Sequence, residues 1–321
     1  MTDYPVIIIG SGVAGLSSAI YTAREDNETL VINGGEPGGQ LTLTTDVANY
    51  PGFPDGVGGH ELIQRMKDQA SQFGTEFKNG IVETITKPDD EFYVELSDGE
   101  VITSDTVIVA SGAEARTLGI EGEDEYMGYG VSTCATCDGA FYRDDQIAIV
   151  GGGDAAVEEA IFLTKFGETV HLIHRRDELR AQAYLQNELQ EHIESGDIEP
   201  HWNTELTEIH GEDSQVTSVS GVTHPDGHPT DKPDAEEFSL DVDAVFMAIG
   251  HTPNTEFLAD LGIPLTEDGY VDLDYNQGPN ATQSTVDGLF VSGDVFDYHY
   301  QQAGTAVGTG IQAAIDANNY L

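Results

Sequence analysis

The sequence predicts an α/β chain of two Rossmann-like, three-layer domains, the second inserted into the first. Three observations carry that expectation. An apolar run from Tyr4 to Ile9 ends in the glycine turn GSGVAG, and a helical stretch and a second strand, TLVI, from Thr29 to Ile32 follow it. The same order returns in mid-chain, where QIAIVGGGDAAVEEAIFLTKFG leads into the strand of TVHLIHRRDELR. Apolar strand runs, AVFMAIGHTPNT and GLFVSGDV, come back after that second unit, and the helical segment TAVGTGIQAAIDANNYL closes the chain. Strand, glycine turn, helix and strand form the unit that binds a dinucleotide, so two such units imply two dinucleotides.

The elements between follow in order. After TLVI, the turn-rich segment GGEPGGQLTLTTDVANYPGF reads as an ordered loop in contact with a ligand. A helix is expected from about Gly59 to Phe73, then strands in FYVEL and DTVIVASGA. Residues 205 to 243 read as a small sheet interrupted by the polar loop HPDGHPTDKPDAEE. The chain is expected to cross between domains near 113–116 and 243–247. This gives residues 1–114 and 246–321 to the first domain and 115–245 to the second.

The charge balance narrows the function. The 321 residues include 12 Lys and Arg against 58 Asp and Glu, so the net charge is 12 − 58 = −46. Nucleic acids and anionic membranes bind basic patches, and this balance opposes both. A disordered acidic chain would show blocks of acid and few apolar runs. Here the acids are scattered among strand and helix patterns, which fits a folded protein adapted to a high-salt cytoplasm, where screening lengths fall to roughly 3 Å at 1 M salt. No stretch approaches the ~20 apolar residues of a membrane span, and the start, MTDYPVIIIGSG, lacks a basic leader. A cytoplasmic location is the expectation. The only two cysteines form one CxxC, which in a reducing compartment points to redox chemistry before a structural staple.

Gly10, Gly12 and Gly15 give G-x-G-x-x-G directly after a strand. The first permits the tight turn, the second lets backbone approach a pyrophosphate, and the third lets helix and strand pack closely. The alternative is a tight turn with no ligand. At the end of the second strand stands Asn33, where an acid often holds the ribose, with Glu36 nearby. Gly151, Gly153 and Ala156 form the second fingerprint, G-x-G-x-x-A, and its second strand ends in His174, Arg175 and Arg176, with Arg180 one turn on. Arginine donates bidentate, charge-assisted bonds to phosphate, so this strand end selects NADPH over NADH; a solvated basic turn is the alternative. Cys134 and Cys137 can close a disulfide reversibly, a helix N-terminus can lower a thiol pKa, and Asp138 can exchange a proton with the leaving thiolate. Half of a zinc site would need two further ligands, which no other Cys supplies and which would have to come from the 10 His, and an inert buried pair is the other alternative; no metal is predicted. Asp294, after the strand and glycine of GLFVSGDV, can accept hydrogen bonds from a flavin's ribityl hydroxyls or simply end a strand.

Taken together, GSGVAG, PGGQL, NYPG, CATCDG, GGGDAA, HRRDELRA, AIGHTPNT, GDV and the YQQA segment resemble the low-molecular-weight thioredoxin reductase family over nearly the whole chain. The resemblance implies an FAD domain from the first and last segments and an NADPH domain between them. It implies FAD contacts at Gly10, Gly12, Gly15, Gly39, Gln40, Asn49, Asp294, Gln302 and Ala303, and NADPH contacts at Gly153, Asp154, His174, Arg175, Arg176 and Arg180. It implies that Cys137 faces the flavin, that Cys134 attacks thioredoxin or a similar small redox protein, and that Asp138 is the acid. It further implies a homodimer and a rotation of one domain against the other at the two crossings. One departure stands out. The family often has Arg before the Gln–Ala pair, and here that position is Gln301.

Other functions compete on specific residues. A dithiol oxidase would keep FAD and CxxC, but the HRR cluster argues against it. A ferredoxin–NADP reductase of similar fold would not need CATCD. A nonenzymatic nucleotide-binding module would not need the complete relay. A peroxide-reductase flavoprotein would need an additional N-terminal redox domain, and the first glycine turn already begins at Gly10. A reductase of another small redox protein stays open.

Overall fold

The computed structural model describes residues 2–43, 47–275 and 278–321. Part of the loop read as ligand-contacting, at Thr44, Thr45 and Asp46, lies outside the described residues. In chain order the first segment carries β1 (Tyr4–Ile9), α1 (Val13–Arg24), β2 (Thr29–Ile32), α2 (Gly59–Gln72), β3 (Glu76–Lys78), β4 (Val82–Thr86), β5 (Phe92–Leu96), β6 (Val101–Val109) and β7 (Ala113–Ala115). The middle carries β8 (Val131–Ser132), α3 (Ala135–Asp138), β9 (Gln146–Gly151), α4 (Asp154–Leu163), β10 (Thr169–Ile173), α5 (Ala183–Ser195) and β11 (Ile198–His201). It continues through β12 (Thr204–Glu212), β13 (Gln215–Thr223), β14 (Glu236–Asp241) and β15 (Ala244–Ala248). The last segment carries β16 (His251–Pro253), β17 (Leu289–Val291) and α6 (Ala303–Tyr320).

Two compact units result, Met1–Glu114 with Thr252–Leu321, and Ala115–His251. The second crossing therefore falls later than the expected 245/246 boundary. The reason is the ladder of β15, which pairs in parallel with β9 through Ala248 and so keeps Phe246, Met247 and Ala248 in the second unit's sheet.

In the first unit β3, β2, β1 and β6 lie side by side, β5 and β4 extend the sheet antiparallel, and β17 pairs with the C-terminal half of β6. β1 is apolar throughout because both of its faces are covered. Val6 and Ile8 pack with α1, α2 and α6, while Ile7 and Ile9 pack on the opposite side with Val94, Val107 and Leu258. α6 lies close on α1: a Cβ on Gly310 would stand 2.3 Å from the Ala14 carbonyl oxygen, and the Ser18 hydroxyl donates to the Gly310 carbonyl at 2.9 Å.

The second unit's sheet runs β11-β10-β9-β15-β8, all parallel. Ile147, Ile149, Val170 and Leu172 face α4 and α5, and Ala148, Val150 and Ile173 face the antiparallel sheet of β12, β13 and β14. The third layer here is thus a sheet, which the pattern of residues 205–243 anticipates.

Candidate active site

The first glycine turn is shaped by its neighbours. Gly10 has φ +108°, and a Cβ there would lie 2.2 Å from the Ala110 carbonyl oxygen at the end of β6. A Cβ on Gly15 would lie 1.9 Å from the Gly10 carbonyl oxygen, so only glycine lets α1 pack on the turn. Gly12 precedes α1 with no side chain capping the helix, which leaves its first N–H groups for a ligand. Gly39 (φ +66°) belongs to a second glycine loop beside the turn, where a Cβ would stand 3.4 Å from the Gly12 Cα, and Gln40 begins the short helical turn Gln40–Leu43. Ser11 ties the turn together: its hydroxyl donates to the Asn33 carbonyl at 3.2 Å and accepts the Gly38 N–H at 3.0 Å.

Among the described residues, three polar atoms here have no partner. The Asn33 side-chain amide donates to Asn79 Oδ1 at 2.6 Å, yet its Oδ1 is buried and unpartnered. Ser292 Oγ and Asp294 Oδ1 are in the same condition. Burial, then the nearby Asp297 charge, pushes the Asp294 carboxyl up to about 7. Buried polar groups are normally satisfied, so acceptors left open beside a bare helix N-terminus fit a dinucleotide with ribose and ribityl hydroxyls. Gly293 sets Asp294 in place, with its N–H on Thr309 Oγ1 of α6 at 3.0 Å. Asn49 Nδ2 donates to Gln302 Oε1 at 3.2 Å, joining two expected contacts 253 residues apart, and Gln302 and Ala303 start α6. Gln301 adopts φ +47° and donates to the Tyr270 hydroxyl at 3.3 Å.

The second turn repeats the device. A Cβ on Gly151 would lie 2.4 Å from the Ala248 carbonyl oxygen at the end of β15, and around Gly153 there is open space. α4 likewise has no side-chain cap. His174 lies against Gly152, where a Cβ would meet its ring at 2.2 Å, and its Nε2 faces the Glu178 carbonyl at 3.2 Å. Burial lowers the His174 pKa, and the three arginines add to this. The Arg180 N–H donates to the Gly152 carbonyl at 2.8 Å, bringing that arginine to the turn. Arg175 and Arg180 are exposed, and Arg176 Nε donates to His228 Nε2 at 3.0 Å. Among the described residues, none of the three guanidiniums forms an ion pair with a carboxylate. The Asp154 carboxylate turns instead to Gln182, accepting its backbone N–H and its side-chain amide, each at 2.7 Å, and so positions the start of α5.

Cys134 and Cys137 form a disulfide. Cys134 caps α3 and Cys137 lies within it, both half-buried. Gly139 lets this turn sit on α4, since a Cβ there would meet Leu163 at 2.8 Å. The Ser132 hydroxyl donates to Asp138 Oδ2 at 2.6 Å and accepts the Cys134 N–H at 3.1 Å, so one hydroxyl ties the acid to the cysteine backbone. Tyr142 is pushed up to about 12, first by burial and then by the charges of Asp138 and Asp145.

Ser132, Gln182, Asn79 and His228 hold candidate site residues by hydrogen bonds that sequence reasoning did not assign. Ser132 alone had a local signal, a short hydroxyl residue two positions before an N–H it can accept. The others come from distant segments. Glu159 of α4 was also unassigned. It accepts the Ala135 N–H, keeps its Oε2 buried and unpartnered, and burial pushes its carboxyl up to about 7.

Known proteins resemble this chain over nearly its whole length. Residues 4–310 match the family model described as pyridine nucleotide-disulphide oxidoreductase. A thioredoxin reductase from Escherichia coli O157:H7 is 43% identical over 316 residues, 98% of this chain and 95% of that protein. A glucosaminate ammonia-lyase from Pseudomonas fluorescens is also 43% identical, covering 98% of this chain and 95% of its own. The crystal structure of a thioredoxin reductase from Streptococcus pyogenes superposes with a TM-score of 0.87 at 37% identity, covering 99% of this chain and 97% of that one.

Proposed function

The chain belongs to the pyridine nucleotide-disulphide oxidoreductase family, and on that premise we propose that it is an NADPH-dependent thioredoxin-disulfide reductase. The observation that carries this reading is the Cys134–Cys137 disulfide with Asp138 held behind it by Ser132. The net reaction takes NADPH, a proton and a thioredoxin disulfide to NADP⁺ and a thioredoxin dithiol. An ammonia elimination moves no electron pair to a disulfide, so it would leave this dithiol and the arginines without a use.

In this reading Gly10, Gly12, Gly15, Gly39, Gln40, Asn49, Asp294, Gln302 and Ala303 hold FAD. The open acceptors of Asn33 and Asp294 take hydroxyls of its ribose and ribityl chain. Bound there, the flavin supplies a two-electron carrier between nicotinamide and disulfide. Gly151, Gly153 and Ala156 shape the second turn for the pyrophosphate of NADPH. Arg175, Arg176 and Arg180 hold its 2′-phosphate, and His174 and Asp154 keep that strand end and α5 in place. Cys137 is the flavin-facing sulfur. Cys134 attacks the partner's disulfide through a mixed disulfide, and Asp138 gives or takes the thiol proton. The same reading includes a homodimer, a cytoplasmic location and salt adaptation of the acidic surface. Among the described residues no helix is long and apolar enough to cross a membrane.

Single cysteine replacements test the proposal. Cys134→Ser is expected to retain a long-wavelength thiolate–flavin absorption band, which Cys137→Ser loses. Cys137→Ser is expected to trap a mixed disulfide with a thioredoxin lacking its resolving cysteine. Both should abolish thioredoxin turnover while NADPH still bleaches the flavin. Full turnover in either variant removes the dithiol from the mechanism, and the band appearing only in Cys137→Ser reverses the two roles.

A further inference from the structure

β11 is the edge strand of the second unit's parallel sheet. It pairs with β10 so that His171 stands beside Glu199 and Ile173 beside His201. Alternate residues of a strand share a face, so Glu199 and His201 lie on the same side as His171. There His171 Nδ1 is 3.1 Å from His201 Nε2 and 3.8 Å from Glu199 Oε2, and one donor atom from each of the three residues lies within 4.8 Å of the others. We propose that His171, Glu199 and His201 form a binding site for a divalent transition-metal cation of the zinc class.

The donor geometry supports the assignment. Zinc–nitrogen bonds of about 2.0–2.1 Å at tetrahedral angles place two ligand nitrogens roughly 3.3–3.4 Å apart. The two imidazoles need open by only a few tenths of an ångström. The tautomer is also set for it. Gln146 Nε2 donates to Glu168 Oε2 at 3.1 Å, which turns Gln146 Oε1 toward His171 Nε2 at 3.0 Å. That acceptor requires the His171 proton on Nε2 and leaves a lone pair on Nδ1, aimed into the cluster. A metal-bound histidine normally donates its other N–H to such a partner, and the partner fixes the ring.

Access and surroundings agree. His171 is buried and His201 half-buried against the Phe238 ring at 5.2 Å, while the Glu199 side chain is 62% exposed. A cation would enter from the Glu199 side, with its fourth position left to water. A chain of net charge −46 draws dications toward it. The same strand end backs the arginine turn. The His174 N–H donates to the His201 carbonyl at 3.0 Å, and the Asn203 N–H donates to the Arg176 carbonyl at 3.2 Å. A cation there would pin β11 to β10 beside the proposed 2′-phosphate contacts. The three ligands are up to 30 residues apart, so no short sequence motif displays them.

The test titrates Zn²⁺ against a chelating indicator into the full, disulfide-closed, flavin-loaded protein. Molar KCl and excess Mg²⁺ occupy ordinary carboxylates, and the closed disulfide removes the thiols as ligands. One tightly held Zn²⁺ per chain is expected, with a thermal midpoint that rises on its addition. Glu199→Gln, at an exposed position, is expected to weaken binding at least tenfold, and His201→Asn to reduce it to background and abolish the midpoint rise. Absence of stoichiometric Zn²⁺, which would leave the two rings sharing only a proton, overturns the site. So does stoichiometric binding that is unchanged in Glu199→Gln, which places the ion elsewhere even if His201→Asn fails to fold.

Discussion

Gly10 lies against the Ala110 carbonyl at the end of β6, and Gly151 against the Ala248 carbonyl at the end of β15. In both units the neighbouring parallel strand excludes a side chain from the first position of the turn. The two regions part after that. The third position must be glycine in the first unit, where a Cβ on Gly15 would reach within 1.9 Å of the Gly10 carbonyl oxygen. The second unit carries Ala156, whose methyl occupies the space that Gly151 leaves by lacking one. The ends of the second strands differ more. β2 ends in a buried Asn33 with an open acceptor, while the strand end after β10 carries His174, Arg175 and Arg176. Acceptors suit hydroxyls and guanidiniums suit phosphate. Each unit's sheet therefore builds the same kind of turn, and on the proposed function the residues that follow its second strand select the nucleotide.

The largest expected effect comes from forcing the third position. Gly15→Ala should cost several kcal/mol by overpacking α1 against the turn, and the purified protein should hold little flavin by absorbance. Ala156→Gly should cost less, about 1.5–2 kcal/mol, the usual penalty for glycine inside a helix plus the loss of one buried methyl. Equal flavin retention and midpoint in the two variants breaks the asymmetry.

Next comes the strand end. Replacing Arg175 and Arg176 together by Ala should lower kcat/KM for NADPH roughly 10²–10⁴-fold, since each charge-assisted bond to the phosphate contributes about 1.5–3 kcal/mol. The value for NADH should move little. Parallel losses with both cofactors in steady-state assays would remove the 2′-phosphate assignment.

A smaller effect separates the two buried acids. Asp294 and Glu159 are each pushed up to about 7 by burial. The folded protein then binds their protons more tightly than the unfolded chain does. Stability is fully present below the unfolded carboxylate range and is lost as pH rises toward 7, by at most about 3–4 kcal/mol for each group. In flavin-free protein at molar KCl, Asp294→Asn and Glu159→Gln should each flatten that fall in thermal midpoint. Flavin should flatten only the Asp294 share, because hydroxyls donating to its open oxygen stabilise the charged form. A midpoint slope that neither substitution alters would show that these acids do not titrate with folding.

Salt gives the smallest contrast between the units, because the acids are spread over both. The midpoint should fall on dialysis into low salt as the Debye length grows to about 10 Å at 0.1 M. Independence from salt between dilute and molar KCl would mean that the charge of −46 is tolerated without screening.

By itself the sequence determined the two turns, the strands that feed them, the order in which one unit interrupts the other, and the CxxC. Each of these is written in neighbouring residues: apolar runs covered on both faces, glycines at fixed spacing, a dithiol two residues apart. It also placed Arg175, Arg176 and Arg180, because a strand end is local. Only the tertiary structure decided the rest. Ser132 was in plain view, yet its bond to Asp138 needed the turn of α3. Asn49 meets Gln302 across 253 residues, and Asp154 turns to Gln182 because α5 begins beside α4. The second crossing moved to 251/252 because β15 finds its hydrogen-bond partners in β9. His171, Glu199 and His201 became a cluster only when β10 and β11 paired. Periodicity reports which face of an element is buried, and it carries no information about which distant atom completes a hydrogen bond or a ligand set.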